Sequence, residues 1–238
     1  MILDNISRAL KEQNWLAAAI EFVIVIFGVV IGFQVNAWNE SRIELEQERK
    51  LIERLAVEVD GALSGKRDEL AIESANVEAL AAIRLLADSA EHVAFDDELC
   101  GSIDASHAVL WAPAQIPMLD EIGQTGALEK ISEDGLRALI VGAISARDRA
   151  RELVAFSRLT VNPLRETHPE LLQARITEFD GRWPQTKHFC DWAGMHRNPL
   201  FQNLALENFF VRATLRILIQ SEVETLEQLN EALKNARL

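Results

Sequence analysis

Residues 16–37 read LAAAIEFVIVIFGVVIGFQVNA, and the fold turns on this stretch. It holds one acid, Glu21, and no base, and from Phe22 to Phe33 no side chain is polar. A helix of about twenty apolar residues, at 1.5 Å rise each, matches the hydrocarbon core of a bilayer. Trp15 and Trp38 stand at the two ends, where indoles favour the membrane–water interface. The apolar run is long for the core of a signal peptide, and the following NESR offers no small-residue cleavage site. The expectation is a retained transmembrane helix over 15–38, preceded by a short leader over 1–14.

Glu21, Val25, Gly28 and Gly32 recur at spacings of four, three and four, so one helix face carries all of them. Gly28 and Gly32 form a GxxxG, which lets two helix backbones approach closely. Bare glycines pack poorly against lipid, and a carboxylate in hydrocarbon needs a partner or a proton. Two accounts of the stripe follow. In one it is a seam with a second copy or with another membrane subunit, and Glu21 lies inside it. In the other Glu21 snorkels to the headgroups near Trp15, and the glycines are incidental.

Basic residues set orientation. The leader carries Arg8 and Lys11; the far side carries Arg42, Arg49 and Lys50 among Glu40, Glu44, Glu46 and Glu48. The basic counts nearly tie, but long domains cross largely regardless of charge, so the short leader decides. That puts the N-terminus inside and the large domain outside.

With 238 residues, the chain leaves enough beyond the helix for a domain with its own core. The formal net charge of −13 argues against nucleic acid as a partner, because neutralising phosphates takes a basic surface. It argues equally against broad docking of the domain on anionic lipid heads. Cys100 and Cys190 are too few for a disulfide framework. They form one bridge if the domain is extracytoplasmic, and two separate buried thiols otherwise.

Further along, residues 39–92 lack proline and are dense in Glu, Leu, Ala and Arg. Leu51, Leu55, Val59 and Leu63 recur at four, and Val77, Leu80 and the Leu85/Leu86 pair continue a helical spacing. This predicts a long helix continuing from the anchor, or a helical hairpin turning at Gly61 and Gly65. Residues 93–238 read as a helical domain. A helix starts at Phe95, capped by Asp96 or Asp97, and runs to about Leu110; a short one follows from Pro117 and closes at Gly126. Ser132-Glu133-Asp134 caps a long amphipathic helix. HPELLQARI reads as a short helix, residues 179–198 as an ordered loop packed by aromatics, and Asn198-Pro199 opens the last helix. Nothing reads as strand. The class is all-α, a helical bundle behind one transmembrane helix.

The stretch QVNAWNESRIELEQERKLIERLAVEV, through Gln34, Asn36, Trp38, Asn39, Glu40 and Arg42, resembles an uncharacterised family of bacterial single-pass membrane proteins. Members have a basic leader, a helix rich in Ile, Val and Gly that ends in Trp-Asn-Glu, and an acidic–basic helix after it. LDEIGQTGALEKISEDGLRALI resembles the family's later pattern, with Thr125-Gly126 and Leu136-Arg137 in the matching places. The likeness covers the first 150 residues or so and loosely the last helix; the leader here is less basic. It implies a bacterial membrane, an anchoring helix and a helical domain behind it, and carries no activity; the inner membrane with the large domain periplasmic follows from the orientation read off the basic residues.

Catalytic signals are sparse. His188, Cys190 and His196, with Asp191 nearby, are zinc-competent side chains, but their spacing matches no standard metal site. A packed loop with two ordinary histidines accounts for them as well, and a Cys–His nucleophile pair has the same ingredients. Arg147, Arg149 and Arg151 cluster in SARDRARE; Arg147 and Arg151 share a helix face suited to an anion or a partner's carboxylates, and Asp148 and Glu152 beside them offer local ion pairs as the plainer account. There is no phosphate-binding glycine loop, GxSxG or dinucleotide fingerprint, so no cofactor is expected. The sequence therefore points to a non-enzymatic structural or interaction protein. It assembles through its transmembrane helix with itself or with a larger membrane complex. The alternatives are a subunit of an ion- or proton-handling complex using Glu21, and a membrane-tethered ligand sensor.

Overall fold

The structure, a computed structural model, describes residues 15–83, 97–179, 181 and 184–236, excepting the side chains of residues 15–19, 21 and 184. The elements in chain order are α1 (Trp15–Leu80), a 3-10 turn (Ala81–Ile83), α2 (Asp97–Ala105), α3 (Pro117–Thr125) and a second 3-10 turn (Ala127–Lys130). Then come α4 (Asp134–Thr160), α5 (Leu164–Thr167), β1 (Leu172–Phe179), β2 (Pro184–Cys190), α6 (Trp192–His196) and α7 (Pro199–Ala236). The chain is mostly helical and divides into two compact units, Met1–Leu51 and Ile52–Leu238.

The described part of the first unit is the front of α1. Every described side chain from Ile20 to Gln47 is exposed. Among the described residues, this is one helix long and apolar enough to cross a membrane, judged by length and composition.

Within the second unit α1 stays helical through Gly61 and Gly65, where the sequence allows either a continuous helix or a hairpin turn. An interior glycine costs a helix about 1 kcal/mol relative to alanine. Leu55, Val59 and Leu63 are buried along the same stretch, and each such side chain returns about 1.5–3 kcal/mol. Helix therefore wins. Leu85 and Leu86 lie outside the described residues, as do Phe95 and Asp96.

α2 stops at Ala105, short of the expected Leu110. Local side-chain bonds compete with the helix there. Ser106 Oγ donates to the Ile103 carbonyl at 2.7 Å, and His107 Nδ1 lies 2.7 Å from the Asp104 carbonyl. α3 keeps its expected signals: Pro117 lies in its first turn and Gly126 closes it with φ 70°, a conformation that favours glycine. Its N-terminus is capped from elsewhere, because Glu58 on α1 accepts from the Met118 N–H at 2.8 Å. α4 begins after Glu133, whose own side chain makes no capping hydrogen bond. Asn198 does cap α7, its Oδ1 accepting from the Phe201 N–H at 3.0 Å.

The all-α expectation fails at one place. β1 and β2 pair as antiparallel strands of a hairpin, with Leu172 opposite Cys190, Ala174 opposite His188 and Ile176 opposite Thr186. The register shifts between Ile176 and Glu178. HPELLQARI is thus a turn and a strand, and the loop expected over 179–198 is largely β2 and α6. α6 is capped by Asp191, whose Oδ1 accepts from the Gly194 N–H at 2.9 Å.

α7 joins the unit together. It buries Phe201, Ala205, Asn208, Arg212, Leu215 and Ile219 at alternating spacings of four and three, then Leu226 and Leu233. Phe201 and Ala205 enter one core cluster with Leu80, Ile103, Leu164, Leu172 and Met195. Leu215 and Ile219 enter another with Val109, Trp111, Ala150 and Val154.

Candidate functional site

In the first unit the expected packing face is bare. Val25 is 58% exposed, and nothing lies within 4 Å of a Cβ built on Gly28 or Gly32. Trp38 is exposed at the far end. The side chains of Trp15 and Glu21 are outside the description, so the backbone alone places them, both on α1. A single chain leaves this apolar surface without a protein partner. Lipid or another helix is the environment in which such a surface is stable.

In the second unit Cys100 on α2 is joined to Cys190 on β2, with 5.9 Å between their α-carbons. The bridge fastens the base of the hairpin to α2. One helical turn after Cys100 comes Asp104, and two residues before Cys190 comes His188; both pairs face the same seam. His188 Nδ1 lies 3.1 Å from the buried Asp104 carboxylate, which also accepts from Arg165 at 2.9 Å. The imidazole rests on Gly101, where a Cβ would come within 3.3 Å of it. A glycine in the middle of α2 thus makes room for the ring.

This arrangement corrects the metal and nucleophile candidates. The Cys190 sulfur is bonded to Cys100, so neither thiolate is free to ligate or attack. His188 turns to Asp104, and His196 ends α6. Among the described residues no group of three or more His, Cys, Asp or Glu side chains is placed to hold a metal ion.

A layer of buried charge crosses the second unit. Lys66 on α1 donates to the Ala112 carbonyl, pairs with Glu69 at 2.6 Å and lies 3.7 Å from Glu222 on α7. Its ammonium also stands 5.2 Å from the centre of the Trp111 ring. Glu222 accepts from the Ala114 N–H at 2.7 Å. One level along, Arg212 on α7 pairs with Glu73 on α1 at 2.6 Å and donates to the Ala108 carbonyl at 2.6 Å. Burial raises the Glu222 and Glu73 carboxyls above their ordinary value, against the pull of Lys66 and Arg212 respectively. These groups tie the irregular segment 106–116 to α1 and α7. Arg147 is buried too. Its partner is Asp120 on α3 rather than the expected Asp148 or Glu152, while Arg151 does pair with Asp148 at 3.0 Å.

Sequence reasoning passed over Lys66, Glu73, Asp104 and Glu222. A signal for two of them exists: Lys66 and Glu73 interrupt the stripe Val59, Leu63, Leu70, Val77, Leu80 at the spacings where apolar residues belong. Charge on an apolar stripe means a buried partner. Comparison with family models, with curated proteins and with solved structures finds no match.

Proposed function

We propose that this chain is a membrane-anchored interaction protein that assembles through its apolar helix. The observation that carries the reading is the uncovered surface of α1, wholly apolar from Phe22 to Phe33, with two adjacent glycine faces left unfilled. In a bilayer the apolar run satisfies lipid, and the Gly28/Gly32 groove accepts a second backbone, from another copy or from a different membrane subunit. The disulfide supports placing the second unit on an oxidising side of the membrane, the periplasm if the chain is bacterial as its resemblance implies. No catalytic role is assigned to it. Its ion pairs are structural partners for buried backbone, and its surface is the part available to soluble partners.

The test is the mass of the purified particle in mild detergent. Wild type is expected to run as an oligomer or a complex, and Gly28→Leu with Gly32→Leu to run as a monomer with unchanged helix content. A wild-type particle that is monomeric, or a double variant that assembles as wild type does, removes the reading.

A further inference from the structure

Along part of their length α4 and α7 do not close on each other. α4 presents Ala143, Ala146 and Ala150, and α7 faces them with Leu218, Ser221 and Thr225. Methyl side chains on one wall leave a crevice of about 140 Å³, floored by Ile116 and Leu119 and lined mostly by carbon. Protein interiors are otherwise close-packed, so a gap of this size is room for something. We propose that the crevice binds the hydrocarbon end of a medium-chain carboxylate, with the carboxylate held at its rim by Arg149.

Size, shape and charge each select this class. A cavity of about 150 Å³ holds a benzene-sized group, roughly six carbons. That is well below the roughly 300–1,000 Å³ of pockets that take drug-sized ligands. From Ala143 to Leu153, the reach of the α4 wall, a helix rises about 15 Å, so the space suits an extended chain rather than a compact ring. On the inner side the charges are already engaged, Arg147 with Asp120 and Glu222 with Lys66 and the Ala114 N–H. Arg149 lines the mouth, is exposed, and has no ion pair among the described residues. In a chain of net charge −13 an unpaired guanidinium at the mouth of an apolar crevice is the place where an anionic head would settle. A cationic amphiphile meets repulsion there. The crevice lies wholly within Ile52–Leu238, so the inference stands independently of the membrane reading.

The test uses the full chain in phosphatidylcholine vesicles and an octanoate carrying a terminal diazirine, with photolabelled peptides mapped by mass spectrometry. Labels are expected within 143–153 and 218–226. Unlabelled octanoate should compete, and octanol should compete about threefold less well, the worth of one exposed ion pair. Octylammonium should compete least. Arg149→Gln should bring octanoate and octanol level. Ala146→Phe should fill the crevice and remove the label; Ser221→Trp, at an exposed position on the opposite wall, should do the same if the first variant misfolds. Three outcomes would overturn the proposal: labelling confined to residues 22–38, labelling within the crevice that survives both blocking variants, or competition by octylammonium equal to that by octanoate.

Discussion

Glu222 and Glu73 show how single residues make this domain respond to pH. Both carboxyls are held above the ordinary value of 4.5 by burial. A carboxyl with a raised folded pKa binds its proton more tightly when folded. The stability it contributes is therefore complete below the unfolded value and is lost as pH rises through the folded one. Glu222→Gln keeps an oxygen for the Ala114 N–H and removes the titration. The variant should lose less stability than wild type between pH 4.5 and neutrality, as read from thermal melts across that range. Identical slopes would mean that Glu222 ionises in the fold as it does in the unfolded chain. Asp60 works in the other direction: its hydrogen bond from Asn230 and the nearby Lys234 lower its carboxyl below 3.8, so its contribution disappears only in stronger acid. A second residue-scale prediction concerns Gly194. A Cβ there would stand 2.6 Å from Leu171 Cδ2 and closer still to the Asp191 carboxylate that caps α6. Gly194→Ala should cost about 1 kcal/mol from the lost cap and about 1–3 kcal/mol from overpacking, measured by urea unfolding.

Among the elements, the hairpin depends most on a covalent tie. Among its described residues only the base enters the core, through Leu172 and the half-buried Cys190; Ile176 and Phe179 are exposed. An isolated two-stranded hairpin is marginal in water. Replacing Cys100 and Cys190 together with serine should destabilise the domain by about 4.6 kcal/mol, the loop-closure value for cysteines 90 residues apart. Denaturant melts with and without reductant measure it, and a loss under about 1 kcal/mol would show that packing alone holds the hairpin. The same element marks where the sequence could be read and where it could not. Helix ends punctuated by backbone chemistry were legible: Pro117, Gly126 and Asn198-Pro199 each act through local geometry alone. LLQARI was not legible, because Leu, Gln, Ala and Arg all favour helix, and a strand there is decided by partners that arrive later, Cys190, His188 and Thr186. The unbroken α1 was half legible. Its periodicity was plain, but the weight of buried leucines against Gly61 and Gly65 is a property of the packed core. For the candidate sites, the apolar face was readable from composition and spacing. The Asp104–His188 contact and the α4–α7 crevice join residues far apart in the chain, and neither has a sequence period.

At the scale of the whole molecule, membrane retention is the first matter to settle. Val29→Arg with Ile31→Arg places two guanidiniums mid-helix, each costing insertion about 2.5–3.5 kcal/mol. Wild type should stay with membranes through an alkaline carbonate wash, and the double variant should appear in the supernatant; a wild type that washes off is no anchored protein. The position of α7 in the chain has another consequence. It supplies Phe201, Asn208, Arg212, Leu215, Ile219 and Glu222 to elements that are all synthesised before it. Until it leaves the ribosome, Lys66, Glu73 and Ser106 lack their α7 partners and both core clusters are open on one side. Cys100 and Cys190 both precede it, so the bridge can close first and hold a half-finished domain. For this domain the vulnerable interval is the one before α7 docks, when chaperones and proteases meet a pinned hairpin with an exposed core.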